Sequence, residues 1–123
     1  NKALEQAKCT VRDLSFAEVH DCFTIAELLS YEAMGLAASG KGADVLADGT
    51  VYRDGKLPIN LSGGLKAKGH PVGATGVSMH VLSAMQLTGN AGEMQIANPD
   101  LAGVFNMGGS AVANYVSILE RTR

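Results

Sequence analysis

Gly69-His70-Pro71-Val72-Gly73-Ala74-Thr75-Gly76 is the stretch around which this chain of 123 residues is organised. A histidine stands between glycine and proline, immediately before a segment with a helical pattern. Proline suits the first turn of a helix, where a missing N–H costs no hydrogen bond, so we expect a helix over residues 72–87 that ends at Gly89-Asn90. Residues 75–88 carry no charged side chain, and their apolar residues spread round the whole circumference. This pattern predicts a central helix that is buried on all sides.

Composition narrows the classes of protein to consider. The chain is 46% hydrophobic, with a net charge of −2 and two cysteines. It can form one domain with a sizeable core, and its charge argues against a nucleic-acid surface. Two cysteines are too few for a disulfide framework and suit a reducing compartment. No leader is visible, and no run is long enough to span a membrane. We therefore expect a cytoplasmic protein without membrane or nucleic-acid partners. A start at Asn1 rather than Met carries no information on targeting.

Short strand patterns alternate with helical ones, which predicts an α/β fold. The predicted strands cover residues 16–19, 57–61, 102–107 and 110–119, and the last is apolar on both faces, as in a buried strand. A short helix is expected at residues 2–8 and a longer one from Thr24, with Thr24 and Glu27 as a capping box. Residues 43–56 contain two Asp-Gly turn signals and are interpreted as a surface loop with a small hairpin at residues 50–53.

The central helix requires more apolar cover than the other predicted elements provide. The chain offers one sheet and one other substantial helix. The glycines of the helix could allow it to pack so closely on its own sheet that it requires little else. We favour the other explanation, in which a second half of comparable size lies outside residues 1–123.

Three segments that follow predicted strands carry chemically capable groups. They are His20-Asp21-Cys22-Phe23, the stretch with His70, and Asn106-Met107-Gly108-Gly109. Ligands of α/β sheets usually bind where strands end at one edge. A cysteine beside imidazoles, together with glycine N–H groups that can stabilise an oxyanion, is a combination suited to acyl transfer.

Taken singly, these residues also have structural explanations. A lone cysteine is most often inert packing, and the glycine pairs are compatible with plain turns. We interpret His80, in the middle of the predicted helix, as a histidine with satisfied hydrogen bonds, and Lys66 and Lys68 as solvated lysines rather than phosphate ligands. Joint placement beside turns is what favours a functional role for His20, Cys22 and His70.

Three motifs carry a resemblance to a known family. Residues 69–76 resemble the Gly-His-Pro-x-Gly-Ala-[Ser/Thr]-Gly motif of thiolases. His20-Asp21-Cys22-Phe23 resembles the His-Asp-Cys-Phe motif of sterol-carrier-protein-type thiolases, where better-known thiolases have Asn-Glu-Ala-Phe, and Asn60-Leu61-Ser62-Gly63-Gly64 resembles the segment before the histidine motif. The similarity covers essentially the whole chain. It implies that residues 1–123 are the C-terminal half of a thiolase-like fold, with a mixed sheet of the five-stranded type layered α/β/α.

The resemblance also implies catalytic roles. A cysteine of the N-terminal half takes the acyl group from a CoA thioester, and His70 activates that cysteine and helps line an oxyanion hole. Asn106 stands where better-known thiolases have the acid/base cysteine of a Cys-x-Gly motif. The resemblance therefore implies that Cys22 moves the proton on the α-carbon of the substrate. His20 takes the place of the asparagine that holds an oxyanion-hole water, and the N–H of Gly108 serves the second oxyanion hole.

Substrate, cofactor and partner expectations follow from the same resemblance. The residues expected to bind substrate are Gly63, Gly64, Asn106 and Met107. No metal or other cofactor is expected, since coenzyme A is a substrate or product. The expected partners are acyl-CoA, the N-terminal half with its nucleophilic cysteine, and further copies of the full-length protein in a dimer or tetramer. Without that cysteine, residues 1–123 alone are expected to be inactive.

The implied reaction is thiolytic cleavage of a 3-ketoacyl-CoA, or the reverse Claisen condensation, in fatty acid and lipid metabolism. Two alternatives stay open. A ketosynthase usually carries Gly-His-Thr at the histidine motif, and Pro71 argues against it. A non-catalytic thiolase-like subunit that scaffolds an acyl-CoA-processing complex does not require His20, Cys22 and His70 together.

Overall fold

A mixed sheet of three strands forms the centre of the computed structural model, which describes residues 2–122. The strands are β1 (Phe16–Val19), β2 (Leu101–Gly108) and β3 (Ala113–Glu120). β1 runs parallel to β2, and β3 pairs antiparallel with the other side of β2. On the edge of β1 away from β2, a single parallel bridge joins Ala17 to Ile59. This connectivity places the carboxyl ends of β1 and β2 side by side.

Helices pack on both faces of the sheet. On one face, α5 (Thr75–Leu87) contacts all three strands. On the other face lie α1 (Lys2–Ala7), which contacts β3, and α2 (Thr24–Met34), which packs on α3 (Gly42–Ala47). The short helix α4 (Gly64–Lys68) precedes α5. Two 3₁₀ turns complete the regular structure of the described part, at Val11–Asp13 and Gly92–Met94.

The alternation of side chains along β1 generates two cores, one on each face of the sheet. Ala17 and Val19 point to the larger core, which contains Tyr31 of α2. Phe16 points the other way and packs with Leu87 of α5 and with Ala102 of β2. All four residues of β1 are therefore buried, and the predicted α/β/α layering is confirmed.

The sheet differs from the prediction at two strands. Instead of a strand, residues 57–61 form only the bridge at Ile59, because Pro58 lacks an N–H to donate and Asn60 turns the chain with a φ of 53°. The predicted five-stranded sheet accordingly contains three strands among residues 2–122. β3 was expected to be buried, but Tyr115 is 69% exposed. As described, β3 is an edge strand with apolar side chains and little cover.

Residues 43–56 were predicted as a loop with a hairpin. They contain most of α3, followed by consecutive turns, and no hairpin forms at residues 50–53. Local Asp-Gly signals correctly indicate the turns, but they do not exclude a short helix before them. Val45 of α3 is buried in the larger core, and this tertiary contact stabilises the helix.

Two helix starts also differ from the prediction. α5 begins at Thr75 rather than at residue 72, and it is preceded by a turn in which the Pro71 carbonyl accepts the N–H groups of Ala74 and Thr75 (2.8 and 2.9 Å). The N-cap of α2 is Phe23, not Thr24, and no side chain caps it. The carboxylate of Glu27, expected to close a capping box, accepts other hydrogen bonds described below.

α5 is buried on one face only. Met79 and Ser83 point toward the sheet and are 0% exposed. Val77 and Val81 are one helical turn apart on the opposite face and are 66% and 51% exposed. Within the part of the chain that the structure describes, the prediction of a helix buried on all sides is therefore wrong. The open face is the one that we expect a second half to cover.

Val81→Asp distinguishes a helix face in solvent from a covered one. In residues 1–123 alone, we expect it to lower the free energy of unfolding by less than about 1 kcal/mol, as at exposed helix positions. In a longer protein whose second half packs on this face, an unpaired carboxylate would be buried, and we expect a loss of roughly 3–5 kcal/mol. Urea unfolding of both proteins measures the difference, and equal losses would contradict the covered face.

Candidate functional site

A cleft of about 500 Å³ lies where the exits of β1 and β2 meet the start of α5. It is lined by three histidines, by the turn and first residues of α5, and by the end of β2: His20, His70, His80, Val72, Gly73, Gly76, Val77, Asn106, Met107, Gly108 and Gly109. The cleft thus contains residues from all three segments that the sequence singled out.

His20 is the most buried of the three histidines. It directly follows β1 and is 4% exposed. Its ring meets the ring of His70 edge to face, with centroids 4.9 Å apart and planes at 83°. Its Nδ1 is buried without a hydrogen-bond partner among the described residues. Buried polar atoms are normally paired, so the hydrogen bonding of His20 is incomplete within the described residues.

Electrostatics favour a neutral His20. Burial lowers the pKa of His20 below its usual value, the neighbouring His70 and Lys68 lower it further, and only Asp21 opposes the shift. A neutral imidazole can donate one hydrogen bond and accept another. His20 is therefore suited to holding a water or a thioester oxygen, and not to stabilising a thiolate by positive charge.

His70 is exposed and precedes the turn that leads into α5. Its Nδ1 lies 2.7 Å from the hydroxyl of Thr75, which is itself hydrogen-bonded to the Pro71 carbonyl (3.1 Å). Because the hydroxyl donates its one proton to that carbonyl, its oxygen accepts from Nδ1–H of His70. This tautomer leaves the Nε2 lone pair free to act as a base.

His80 lines the same cleft, but both of its ring nitrogens have protein partners. Nδ1 lies 2.7 Å from the carbonyl oxygen of Gly76, and Nε2 lies 2.9 Å from the hydroxyl of Ser117 on β3. The interpretation of His80 as a satisfied structural histidine is confirmed. Its role is to join α5 to the edge strand.

The end of β2 forms the opposite wall of the cleft. Asn106, Met107 and Gly108 all line it. The Asn106 amide lies directly against Gly76, where an added Cβ would be 2.6 Å from its Nδ2. The Asn106 side chain thus fills the space beside Gly76, at the position where the resemblance to thiolases implies a missing cysteine.

Cys22 is placed differently from the other predicted catalytic residues. It is partly buried in the bend between His20 and α2, and it does not line the cleft as the described residues form it. The structure thus brings His20, His70 and Gly108 together and leaves Cys22 beside the site. Its role as the acid/base stays a prediction.

Gly63 and Gly64 likewise do not line this cleft, and their role in substrate binding stays a prediction. Gly64 has a φ of 66°, and a Cβ there would overlap the carboxylate of Asp21. The same carboxylate accepts the N–H of Leu65 at 2.8 Å. Asp21 therefore joins the exit of β1 to the first turn of α4, a role that the sequence did not indicate.

A second, partly buried network of hydrogen bonds holds the end of β1. The side-chain carbonyl of Asn60 accepts the N–H of Val19 at 2.8 Å, and its amide donates to Glu27 at 3.2 Å. The hydroxyl of Tyr31 donates to the same Glu27 oxygen at 2.8 Å, and burial together with this contact raises the pKa of Tyr31. Asn60 thus supports the strand that carries His20 from outside the cleft.

The sequence did not indicate the ion pair between Glu18 and Lys68. The side chain of Glu18 is 2% exposed on β1, and the Lys68 ammonium lies 3.3 Å from its carboxylate. The interpretation of Lys68 as a solvated lysine is therefore wrong, whereas Lys66 is exposed as expected. A carboxylate within an otherwise apolar strand was the signal that predicts a buried partner.

No group of three or more His, Cys, Asp or Glu side chains within residues 2–122 is arranged to hold a metal ion. Over the same residues, no helix has the length and apolar character required to cross a membrane.

Comparison with known families agrees with the three motifs. The family described as "Thiolase C-terminal domain-like" matches residues 1–121. This chain belongs to that family. The resemblance to thiolases, noted from the sequence, is confirmed, and so is the thiolase-like C-terminal fold.

The relatives of this thiolase C-terminal domain are much longer proteins. An acetyl-CoA acetyltransferase of Methanothermobacter thermautotrophicus is 40% identical over 119 residues, which cover 97% of this chain and 31% of the relative. Sterol carrier protein 2 of Homo sapiens is 44% identical over 112 residues, 90% of this chain and 20% of the relative. The chain spans less than a third of either protein, and similarity to the latter agrees with the sterol-carrier-type branch.

A solved structure shows the same fold. The Ltp2-ChsH2(DUF35) aldolase superimposes with a TM-score of 0.82 at 25% identity, over 97% of this chain and 30% of that one. The thiolase C-terminal domain thus occurs in proteins named as transferases, carriers and aldolases, and the fold alone does not select among them.

The buried His20 makes stability depend on pH. Its pKa is lower in the folded protein than the ordinary histidine value of 6.5, which we take for the unfolded chain. Its contribution is therefore fully present above that value and is lost as the pH falls through the folded pKa. We expect urea unfolding to give a lower free energy at about pH 5.5 than at about pH 7.5, and His20→Asn to reduce this difference. An unchanged difference in His20→Asn would show that His20 is not buried in its neutral form.

Proposed function

We propose that this chain is the C-terminal domain of a thiolase-type acyltransferase that acts on acyl-CoA thioesters. The reaction is thiolytic cleavage of a 3-ketoacyl-CoA or the reverse Claisen condensation, as in an acetyl-CoA C-acetyltransferase. The observation that carries this proposal is the contact of the His20 and His70 rings, 4.9 Å apart, in a cleft that also contains Gly108.

His70 is proposed as the base that activates the nucleophilic cysteine of the N-terminal half. The Thr75 hydroxyl holds the tautomer in which Nε2 carries the lone pair. Nε2 takes the thiol proton, the thiolate attacks the thioester carbonyl, and the CoA thiolate leaves and is protonated by the imidazolium. The open face of α5 beside His70 gives the N-terminal half a place to pack.

His20 and Gly108 are proposed to stabilise negative charge on thioester oxygens. The lowered pKa of His20 favours its neutral form, and its ring lines the cleft that also contains Gly108. Such a group can orient a water or bind an oxygen directly. The N–H of Gly108, at the end of β2, is proposed to act at the second oxyanion.

Cys22 is proposed to carry the α-proton. In condensation, its thiolate removes a proton from the α-carbon of the second acyl-CoA. The carbanion then attacks the acyl-cysteine carbonyl and displaces the cysteine of the N-terminal half. Asn106 supports this assignment, because the end of β2 provides an amide and not a thiol. Cys22 does not line the described cleft, so this role requires its thiol to approach the bound substrate in the full-length protein.

A non-catalytic role is the alternative. The relatives include proteins named sterol carrier protein 2, and Cys22 lies outside the cleft lining. A scaffold or carrier domain would not form an acyl-enzyme. Formation of an acyl-cysteine by the full-length protein therefore separates the two functions.

Cys22→Ala in the full-length protein tests the proposal. Mass spectrometry after incubation with acyl-CoA should detect an acylated cysteine in both the parent and Cys22→Ala. Condensation and exchange of the α-proton should fall by about two orders of magnitude or more in Cys22→Ala, because the proton carrier is lost. Cys9→Ala, at the other cysteine of the chain, should leave both steps unchanged.

Two results would contradict parts of this account. If the parent forms no acyl-enzyme, the acyltransferase function fails and the scaffold alternative is supported. If Cys22→Ala abolishes acylation while circular dichroism shows an intact fold, Cys22 is the nucleophile and its proposed role is wrong.

A further inference from the structure

A buried carboxylate lies on β1, two residues before His20. Glu18 is 2% exposed within β1. Its carboxylate accepts hydrogen bonds from the N–H and hydroxyl of Ser62 (3.2 and 2.6 Å) and from the Lys68 ammonium (3.3 Å). Lys68 also donates to the Ser62 hydroxyl at 3.1 Å. All donors to Glu18 thus come from the segment that leads to His70.

The ion pair and the ring contact connect the same two segments. Glu18 and His20 are two residues apart along an extended strand, so their side chains lie on the same face. Lys68 and His70 are also two residues apart, separated by Gly69. Glu18 meets Lys68 at 3.3 Å, and His20 meets His70 at a centroid distance of 4.9 Å. The two contacts are therefore neighbours between β1 and the loop before α5.

Within its own loop, His70 is held by the contact of its Nδ1 with the Thr75 hydroxyl at 2.7 Å, while the backbone just before it depends on a glycine. Gly69 has a φ of 83° and a ψ of 167°, a conformation open mainly to glycine, and both Gly69 and His70 are exposed. Lys68 is the last residue before this glycine that is held by a buried partner. Burial of an ion pair stabilises a fold little compared with apolar residues of the same size, but it can specify one arrangement of two segments.

We infer that the Glu18–Lys68 ion pair is a positioning device that holds His70 against His20 in the geometry required for acyl transfer. Neither side chain is assigned a contact with substrate, so both are positioning residues. The role in acyl transfer rests on the proposed function, whereas the effect on the ring contact does not.

Lys68→Met in the full-length protein is the first test, with Lys66→Met on the exposed side of α4 as the matched control. We expect Lys68→Met to slow acylation by about tenfold to 100-fold, as misplaced catalytic groups do, while the acyl-CoA concentration at half-saturation changes little. Displacement of the His70 ring should also change the NMR chemical shifts of the His20 ring protons, because the two rings meet edge to face with centroids 4.9 Å apart. Lys66→Met should change neither quantity.

A double variant tests the positioning role without leaving Glu18 as a buried charge that has lost its partner. Lys68→Met alone leaves the Glu18 carboxylate buried with one partner fewer, and the protein could unfold for that reason. Glu18→Gln/Lys68→Met removes both charges and keeps a side-chain carbonyl to accept from Ser62. Its fold should be intact by circular dichroism, and its acylation should stay slow because the two segments are no longer held by the ion pair.

The outcomes distinguish a failure of the proposed function from a failure of the positioning role. A parent protein that forms no acyl-enzyme overturns the proposed function, whereas the His20 ring-proton shifts still report on the ring contact. Acylation by the double variant at the parent rate, or His20 ring-proton shifts that are the same in Lys68→Met and Lys66→Met, overturns the positioning role.

Discussion

The burial of β1 on both faces is the constraint on which the rest of the structure depends. Its side chains alternate between a core with α2 and a core with α5. Because the strand cannot shift by one residue without exchanging its two faces, the position of His20 at its end is determined. This fixed position of β1 in turn determines where the cleft, the histidine pair and the network around Glu18 lie.

The site joins a rigid strand exit to a loop with a flexible glycine. His20 belongs to the rigid side, where Asn60 and Asp21 hold the surrounding backbone. His70 belongs to the loop and is exposed, but the Thr75 hydroxyl sets its tautomer. One imidazole is thus buried and neutral, and the other is accessible with a free lone pair. This division suits an oxyanion-binding group beside a base.

The features that sequence predicts here are local ones. Short runs of adjacent residues predict the strand at residues 16–19, the helix after His70 and the three motifs. The structure contains both elements, and the family comparison agrees with the motifs. The partnership of Glu18 with Lys68 joins residues 50 positions apart and depends on tertiary folding, so Lys68 was taken as solvated. The exposure of β3 and of Val81 could not be predicted for a related reason, because apolar patterns report which face prefers burial and not what covers it.

A crystal structure of the full-length protein with a bound acyl-CoA is the most direct test of the central claim, that the His20–His70 cleft is an acyl-transfer site. The account predicts the thioester oxygen within hydrogen-bond distance, about 3 Å, of the His20 ring, its water or the Gly108 N–H. It also predicts Nε2 of His70 facing a cysteine of the N-terminal half. A thioester bound away from this cleft, or His70 turned from any cysteine, would contradict it.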